Sequence, residues 1–175
     1  MNESAIVLGS PDGGPLRPMN LHDLLRHPHN RIDLSVVVLT YNGEALLSAC
    51  LDSLLQQSWP RGNNELVVVD NGSMMVPDVR RWGARIVRHP DNGGNIIGTN
   101  RCYTAAEGEY VLFIANDVRF HAGCLEALWG HRLQADIVQP VLVQPNAQID
   151  NVGLRWVWPG YGMRVRTVGA RIDAF

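Results

Sequence analysis

Cysteine is scarce and scattered in this chain. Cys50, Cys102 and Cys124 are the three present, an odd number at wide spacings that forms no zinc or redox pattern and suits a reducing compartment. Long apolar runs are missing too. None exceeds six residues, far short of the roughly 20 that cross a bilayer. The N-terminal MNESAIVLGSPDGG has no basic region followed by a long apolar one, so no secretory signal is visible. A cytoplasmic protein is expected, with the inner face of the membrane as the alternative station. No basic excess exists either: 15 Lys and Arg face 17 Asp and Glu, which gives nucleic-acid binding no support. GxGxxG and GxxxxGK[ST] are both absent, which argues against a dinucleotide dehydrogenase or a P-loop enzyme.

What remains is an ordinary globular composition, 46% hydrophobic and 18% charged over 175 residues, enough for about one domain. Residues 1–33 are rich in Gly, Pro, Asn and His and read as an irregular lead-in, with a short possible helix at 21–27. His22, His27 and His29 could bind a metal there, although a solvated loop is the plainer reading.

From Leu34 onward the pattern is regular. Ser35–Leu39 and Leu66–Val69 are β-branched runs typical of strands buried on both faces. Between them, residues 44–57 place Leu47, Cys50, Leu51, Leu54 and Leu55 on one helical stripe. A short segment at 79–82, a strand at 85–88, a helix at 96–106 and a strand at 110–115 follow. A helix at 124–133, a strand at 137–143 and a late edge strand carrying Arg164, Arg166 and Arg171 complete the expected series.

Such alternation predicts an α/β fold, a mainly parallel sheet with helices on both faces. Ligands collect beyond the carboxyl ends of such strands. Those ends read Thr40-Tyr41-Asn42, Asp70-Asn71-Gly72-Ser73, His89-Pro90-Asp91-Asn92 and Asn116-Asp117. Two tips thus carry an Asp just past a buried strand. A carboxylate there is costly unless paired, hydrogen-bonded or bound to a cation. Asp117 suits a Mg²⁺ or Mn²⁺ ion carried by a diphosphate, or equally a helix or turn cap. Asp70 could accept from a base N–H or a ribose hydroxyl, or simply shape a turn. Thr40-Tyr41-Asn42 could wall a base, or Tyr41 could be core. Gly93, Gly94 and Gly98 in the 91–101 stretch allow close backbone approach to an anion at a helix start.

Four blocks, LSVVVLTYNGEALLSACLDSLLQQSW, ELVVVDNGS, NGGNIIGTN and GEYVLFIANDV, in this order and spacing over roughly residues 34–130, resemble the family 2 glycosyltransferases of the GT-A fold. Within that family the chain looks most like the rhamnosyltransferase-type branch. The resemblance implies one GT-A nucleotide-sugar-binding domain over residues 34–175. Its donor is a dTDP-, UDP- or GDP-sugar, its acceptor a glycan or a lipid-linked molecule, and Mg²⁺ or Mn²⁺ assists transfer with inversion. Thr40, Tyr41, Asn42 and Asp70 would contact the base and ribose. Asn92, Gly94, Asn100 and Arg101 would line the nucleotide and diphosphate side. Asn116 and Asp117 would meet the sugar diphosphate and the metal.

Two departures accompany the match. Ala115 stands where the family usually begins its metal motif with Asp or Asn. Nothing matches the later acidic segment that supplies the family's general base, so the expectation is the donor half of a longer enzyme, with its base unassigned. The run 156–161, Trp-Val-Trp-Pro-Gly-Tyr, would be a platform for a sugar ring or uncovered surface. A non-catalytic nucleotide-sugar-binding domain is the alternative function. A nucleotidyltransferase is disfavoured, because TYNGEALLS lacks the Gly-rich basic loop such enzymes carry after the first strand.

Overall fold

The computed structural model describes residues 32–152 and, beyond them, only the backbone of segments 6–7, 18–19, 154–157 and 161–164. The short helix expected at 21–27, the three histidines, most of the aromatic run, and Arg166 and Arg171 lie outside the described residues. Two compact units divide the chain at His121/Ala122.

The first unit is built on four parallel strands. They are β1 (Leu34–Thr40), β2 (Asn64–Asn71), β3 (Arg85–His89) and β4 (Tyr110–Ala115), in spatial order β3-β2-β1-β4. Helices α1 (Glu44–Leu55) and α2 (Gly94–Ala105) connect them. A single turn of 3₁₀ helix, Arg80–Trp82, precedes β3.

Alternation along the strands assigns their side chains to two faces. Val37, Val67 and Val69 pack with Cys102 and Ala106 of the α2 segment, and Leu39, Val87 and Val111 flank this cluster. Val36, Val38 and Val68 point the other way and are fully buried as well. Burial on both faces explains why β1 and β2 read as unbroken β-branched runs.

In α1 the buried stripe is Leu47, Cys50, Leu51 and Leu54, whereas Leu55 is exposed. The helix stops at Leu55 rather than at Gln57, because the Trp59 indole N–H donates to the Leu54 carbonyl at 3.1 Å and turns the chain toward Pro60. Trp82 is held from the opposite side by its own indole N–H, 2.8 Å from the Asp52 carboxylate.

Two sequence expectations fail. The strand at 110–115 is an edge, not a doubly covered strand: Phe113 and Ala115 are exposed, and Ile114 is its one buried residue. The strand expected at 137–143 shortens to Leu142–Val143 (β5), which joins no parallel sheet. It pairs antiparallel with Ile149–Asn151 (β6) instead. Pro140 accounts for the loss, since it has no N–H to give a ladder and interrupts the run. The second unit also contains α3 (Cys124–His131), two residues from the expected end. The last described backbone is an antiparallel pair, β7 (Leu154–Val157) with β8 (Tyr161–Arg164).

At the amino ends of the strands, Glu65 ties β2 to the close of α2. Its carboxylate accepts from Ser35 Oγ at 2.5 Å, the Glu107 N–H at 2.9 Å and Arg85 at 2.8 Å. Burial pushes this carboxyl up, but those hydrogen bonds and the Arg85 charge outweigh it and hold the group below the usual carboxylate range. A depressed folded value means stability that is complete above the unfolded value and is lost as pH falls through the folded one. Urea unfolding between pH 6 and pH 3 should therefore show a steeper loss for the wild type than for Glu65→Gln. Parallel pH profiles would remove Glu65 from this role.

Candidate active site

The carboxyl ends of β2, β1 and β4 lie side by side. Register sets Thr40 directly opposite Asp70, and Leu39 opposite Ala115, so Asn116 falls next to Thr40. The Asn116 amide donates to Thr40 Oγ1 at 2.9 Å and toward the Gly43 carbonyl at 3.4 Å. Gly43 has to be glycine for this approach, because a Cβ there would collide with the Asn116 amide nitrogen. Three sequence-predicted residues, Thr40, Asp70 and Asn116, thus form one polar edge.

Asp70 is completely buried. One oxygen, Oδ1, accepts from the Ser73 N–H at 2.9 Å, whereas Oδ2 has no hydrogen-bond partner. The nearest cation is Arg88, its cross-strand neighbour, with Nε 3.7 Å from Oδ2 and Nη2 on the Ser73 carbonyl at 2.9 Å. A buried carboxylate oxygen without a hydrogen bond costs ~1–3 kcal/mol unless something repays it. Such an oxygen is an acceptor in waiting.

Asn42 joins the loops that leave β1 and β2. Its N–H donates to Ser73 Oγ at 2.9 Å, and its side-chain oxygen accepts from the Met74 N–H at 2.8 Å. Its φ of 49° is left-handed, which Asn tolerates better than most residues. Tyr41, one residue earlier, is 46% exposed and is therefore free to face a ligand rather than serve as core.

Asn92 and Gly94 shape the start of α2. Asn92 Oδ1 accepts from the Gly94 N–H at 2.9 Å and from Asn71 Nδ2 at 3.0 Å. Asn71 Nδ2 also reaches the Gly94 carbonyl at 3.1 Å. Asn100 and Arg101 are both buried on α2. The Arg101 guanidinium turns inward to Asp91 and Asn71, so the exposed diphosphate-lining place expected for it is not where its charged end lies.

Asp117 follows Asn116 in a turn closed by the Val118 N–H and the Ala115 carbonyl at 3.2 Å. Its carboxylate is exposed, not partly buried at a covered tip, because β4 is the edge of the sheet. Asp117 stands close enough to Cys50 to act on it: burial first, then the Asp117 charge, pushes the Cys50 thiol up to about 11. Among the described residues no group of three or more His, Cys, Asp or Glu converges as a metal cage. Beside this edge a cavity of about 110 Å³ opens between α2 and β4, lined by Leu39, Asn95, Thr99, Phe113 and Ala115 among others.

Sequence reading missed Asn71, Ser73 and Arg88. Strand parity could have found the first, since Asn71 shares the face of Val67 and Val69 and is therefore aimed into the α2 interface. Register could have found Arg88 as the neighbour of Asp70. Ser73 needed the turn geometry.

Among the described residues, no helix is long and apolar enough to cross a membrane. Comparison with known proteins returns one family. The model of "Glycosyl transferase family 2" matches residues 35–171. The poly(ribitol-phosphate) beta-glucosyltransferase of Bacillus spizizenii is 33% identical over 92 residues, 48% of this chain and 14% of that protein. A PGL/p-HBAD biosynthesis glycosyltransferase of Mycobacterium tuberculosis is 32% identical over 118 residues, 59% of this chain and 44% of that one. The solved structure of S. aureus TarS 1-349 in complex with UDP-GlcNAc superposes with a TM-score of 0.51 at 29% identity, covering 59% of this chain and 32% of that one. The chain thus spans less than half the length of these relatives. A parallel sheet with its polar residues gathered at the carboxyl edge, and a family match over most of the sequence, place this chain in glycosyltransferase family 2, with the GT-A-type α/β fold.

Proposed function

We propose that this chain binds a nucleoside diphosphate sugar at the β2-β1-β4 edge and serves transfer of the sugar to an acceptor hydroxyl with inversion. The observation that carries the reading is Asp70: a fully buried carboxylate with one oxygen lacking a hydrogen bond, at the strand tip where such folds take ligands. That oxygen would accept a base N–H or a ribose hydroxyl once Arg88 moves off it. Tyr41 would flank the base, and Thr40 and Asn42 would fix the floor of the site. Asn92, Gly94 and Asn100 would line the diphosphate side, with Asn116 toward the sugar.

A Mg²⁺ or Mn²⁺ ion fits this edge only as a passenger of the diphosphate. One exposed carboxylate, Asp117, is what the tip offers, and such ions use one or two carboxylates plus phosphate oxygens and water. When bound, the cation would offset negative charge on the departing diphosphate. Asp117 would hold it, while Asn116 stays committed to Thr40. No residue is assigned as general base.

A rhamnosyl donor is the finer assignment the sequence motifs favour. A glycan or lipid-linked acceptor, and a place in cell-wall or polysaccharide synthesis, are favoured by the names of the relatives. Ala115 favours a second reading, a nucleotide-sugar-binding domain without turnover, because it puts a methyl group where the family usually has an Asp or Asn oxygen.

Thermal unfolding with UDP-, dTDP- and GDP-sugars, with and without Mn²⁺, tests the proposal. One of them should raise stability by ~2.7 kcal/mol at a hundredfold excess over Kd. Asp117→Ala should lose the Mn²⁺-dependent part of that gain, while Asp136→Ala, an exposed carboxylate of the second unit, should keep it. Equal behaviour of the two variants would remove Asp117. Slow Mn²⁺-dependent release of nucleoside diphosphate would favour turnover over binding alone.

A further inference from the structure

We infer that Arg101 is a positioning residue: it orients the amide of Asn71, and through it the amide of Asn92, so that Asn92 presents an N–H₂ to the diphosphate. This deepens the donor-site reading and rests on it.

Every position on this chain that could hold a permanent cation is an arginine, since the sequence has no lysine. Arg101 is the one most deeply committed near the site. It is 6% exposed. Nη1 donates to Asn71 Oδ1 at 2.6 Å and to the Asp91 carbonyl at 2.8 Å, and Nη2 donates to Asp91 Oδ1 at 3.0 Å. Nε is buried without a partner. Three of its five N–H groups are thus spent on Asn71 and Asp91, and its charged end faces the protein rather than the surface.

The placement is expensive for a simple ion pair. Arg101 is out of water, but the side chain of its partner Asp91 is 66% exposed, so the attraction is screened on one side while desolvation is paid on the other. What the cation achieves beyond the pair is a choice of orientation. Guanidinium N–H groups donate and never accept. Asn71 therefore turns its oxygen toward Arg101, at 2.6 Å the nearer of its two donors beside the Gly93 N–H at 3.4 Å, and its Nδ2 faces the other way. That nitrogen meets Asn92 Oδ1 at 3.0 Å and the Gly94 carbonyl at 3.1 Å.

The same logic then applies to Asn92. Its oxygen already takes the Gly94 N–H at 2.9 Å, and now Asn71 Nδ2 as well. With the oxygen held inward, the Asn92 amide nitrogen is the end turned to solvent, on an exposed residue at the head of α2. A diphosphate needs donors there, and a reversed Asn92 would set a carbonyl against it.

Two glycines leave room around the relay: a Cβ on Gly98 would stand 2.9 Å from Leu39 Cδ2 and 3.0 Å from Asn71 Nδ2, and one on Gly93 would meet Ile97 first, at 2.6 Å, and Arg101 Nη1 at 3.2 Å. Polarity thus passes from a buried cation through two amides to the surface.

Calorimetric titration with UDP, dTDP and GDP tests it, using whichever binds the wild type most tightly. Arg101→Met should weaken that nucleoside diphosphate roughly tenfold, and Arg101→Lys, whose ammonium can still donate to Asn71, should recover most of the loss. Asn71→Asp separates the relay from mere structural support. It still gives Arg101 an acceptor, now a carboxylate in place of the amide oxygen, but has no N–H to give Asn92, so affinity should fall roughly tenfold even where thermal stability holds. Combining Arg101→Met with Asn92→Ala should bind no more weakly than Asn92→Ala alone, as expected for residues acting in series. Wild-type affinity in Asn71→Asp, or strictly additive losses in the double variant, would overturn the relay while leaving the donor site standing. Failure of the wild type to bind any of the three would overturn the donor-site reading and the relay with it.

Discussion

Asp70→Asn is expected to abolish most of the nucleotide affinity of this chain without unfolding it. The amide is nearly the same size, and its remaining oxygen can still accept from the Ser73 N–H as Oδ1 does now, at 2.9 Å. Oδ2 is the atom that changes. It goes from an acceptor with no hydrogen bond to an N–H₂ donor, 3.7 Å from the Arg88 Nε in the unliganded site. A base N–H arriving there would meet another donor, and a ribose hydroxyl would exchange a charge-assisted bond to a carboxylate for a weaker one from a neutral amide. Leaving a buried polar group unmatched costs ~1–3 kcal/mol, and each 1.4 kcal/mol is about tenfold in Kd. Titration calorimetry should therefore read a loss of roughly 10- to 100-fold. Unchanged affinity with intact secondary structure would mean that the ligand does not use Asp70, and the proposed donor site would have to move.

Gly72→Ala is expected to produce the largest loss of stability. Gly72 has φ of +85°, a left-handed backbone that a residue with a Cβ adopts at a cost of about 1–2 kcal/mol. A Cβ would also run into the Asp91 backbone and lie within 2.8 Å of Asn92 N. Main chain cannot swing aside as a side-chain end can, so overpacking adds about 1–3 kcal/mol. Urea unfolding should show a total loss of roughly 2–5 kcal/mol. Gly94→Ala is the instructive comparison. Its φ is +73°, yet a Cβ there would meet nothing within 4 Å, so the strain should appear without the collision. Equal losses in the two variants would mean that the close approach of the β2 and β3 loops is not real.

Most of the first unit was legible because its signals are periodic. Continuous β-branched runs gave β1 and β2, and the stripe from Leu47 to Leu54 gave α1. Turn chemistry marked the tips. One misreading arises because hydrophobicity does not say where the sheet ends. Tyr110–Ala115 is as apolar as β1, but it lies on the edge, with Phe113 45% exposed. Helix α2 inverts the usual rule altogether: Ile96 is 75% exposed while Asn100 and Arg101 are buried. No apolar stripe could reveal that, since the buried side of this helix sets Asn100 and Arg101 beside Gly98 and Cys102. The same inversion explains why Arg101 reads in the sequence as a ligand residue. A basic side chain beside a Gly-rich turn is ambiguous until its partners are seen. Asp70 was legible as a candidate, but its open oxygen was not, because that depends on where Ser73 and Arg88 stand.

The alignment of Thr40 with Asp70 across the parallel ladder has a practical result for every measurement made on this protein. Recognition groups mounted on central strands sit in the part of a molecule whose amides exchange with solvent only when the whole unit opens. A substitution at this edge that also costs stability will thus lower the population of intact molecules and the affinity of those that survive, both at once. Titrations on such variants need the folded fraction measured in the same tube, or a lost binder and a lost fold will look alike.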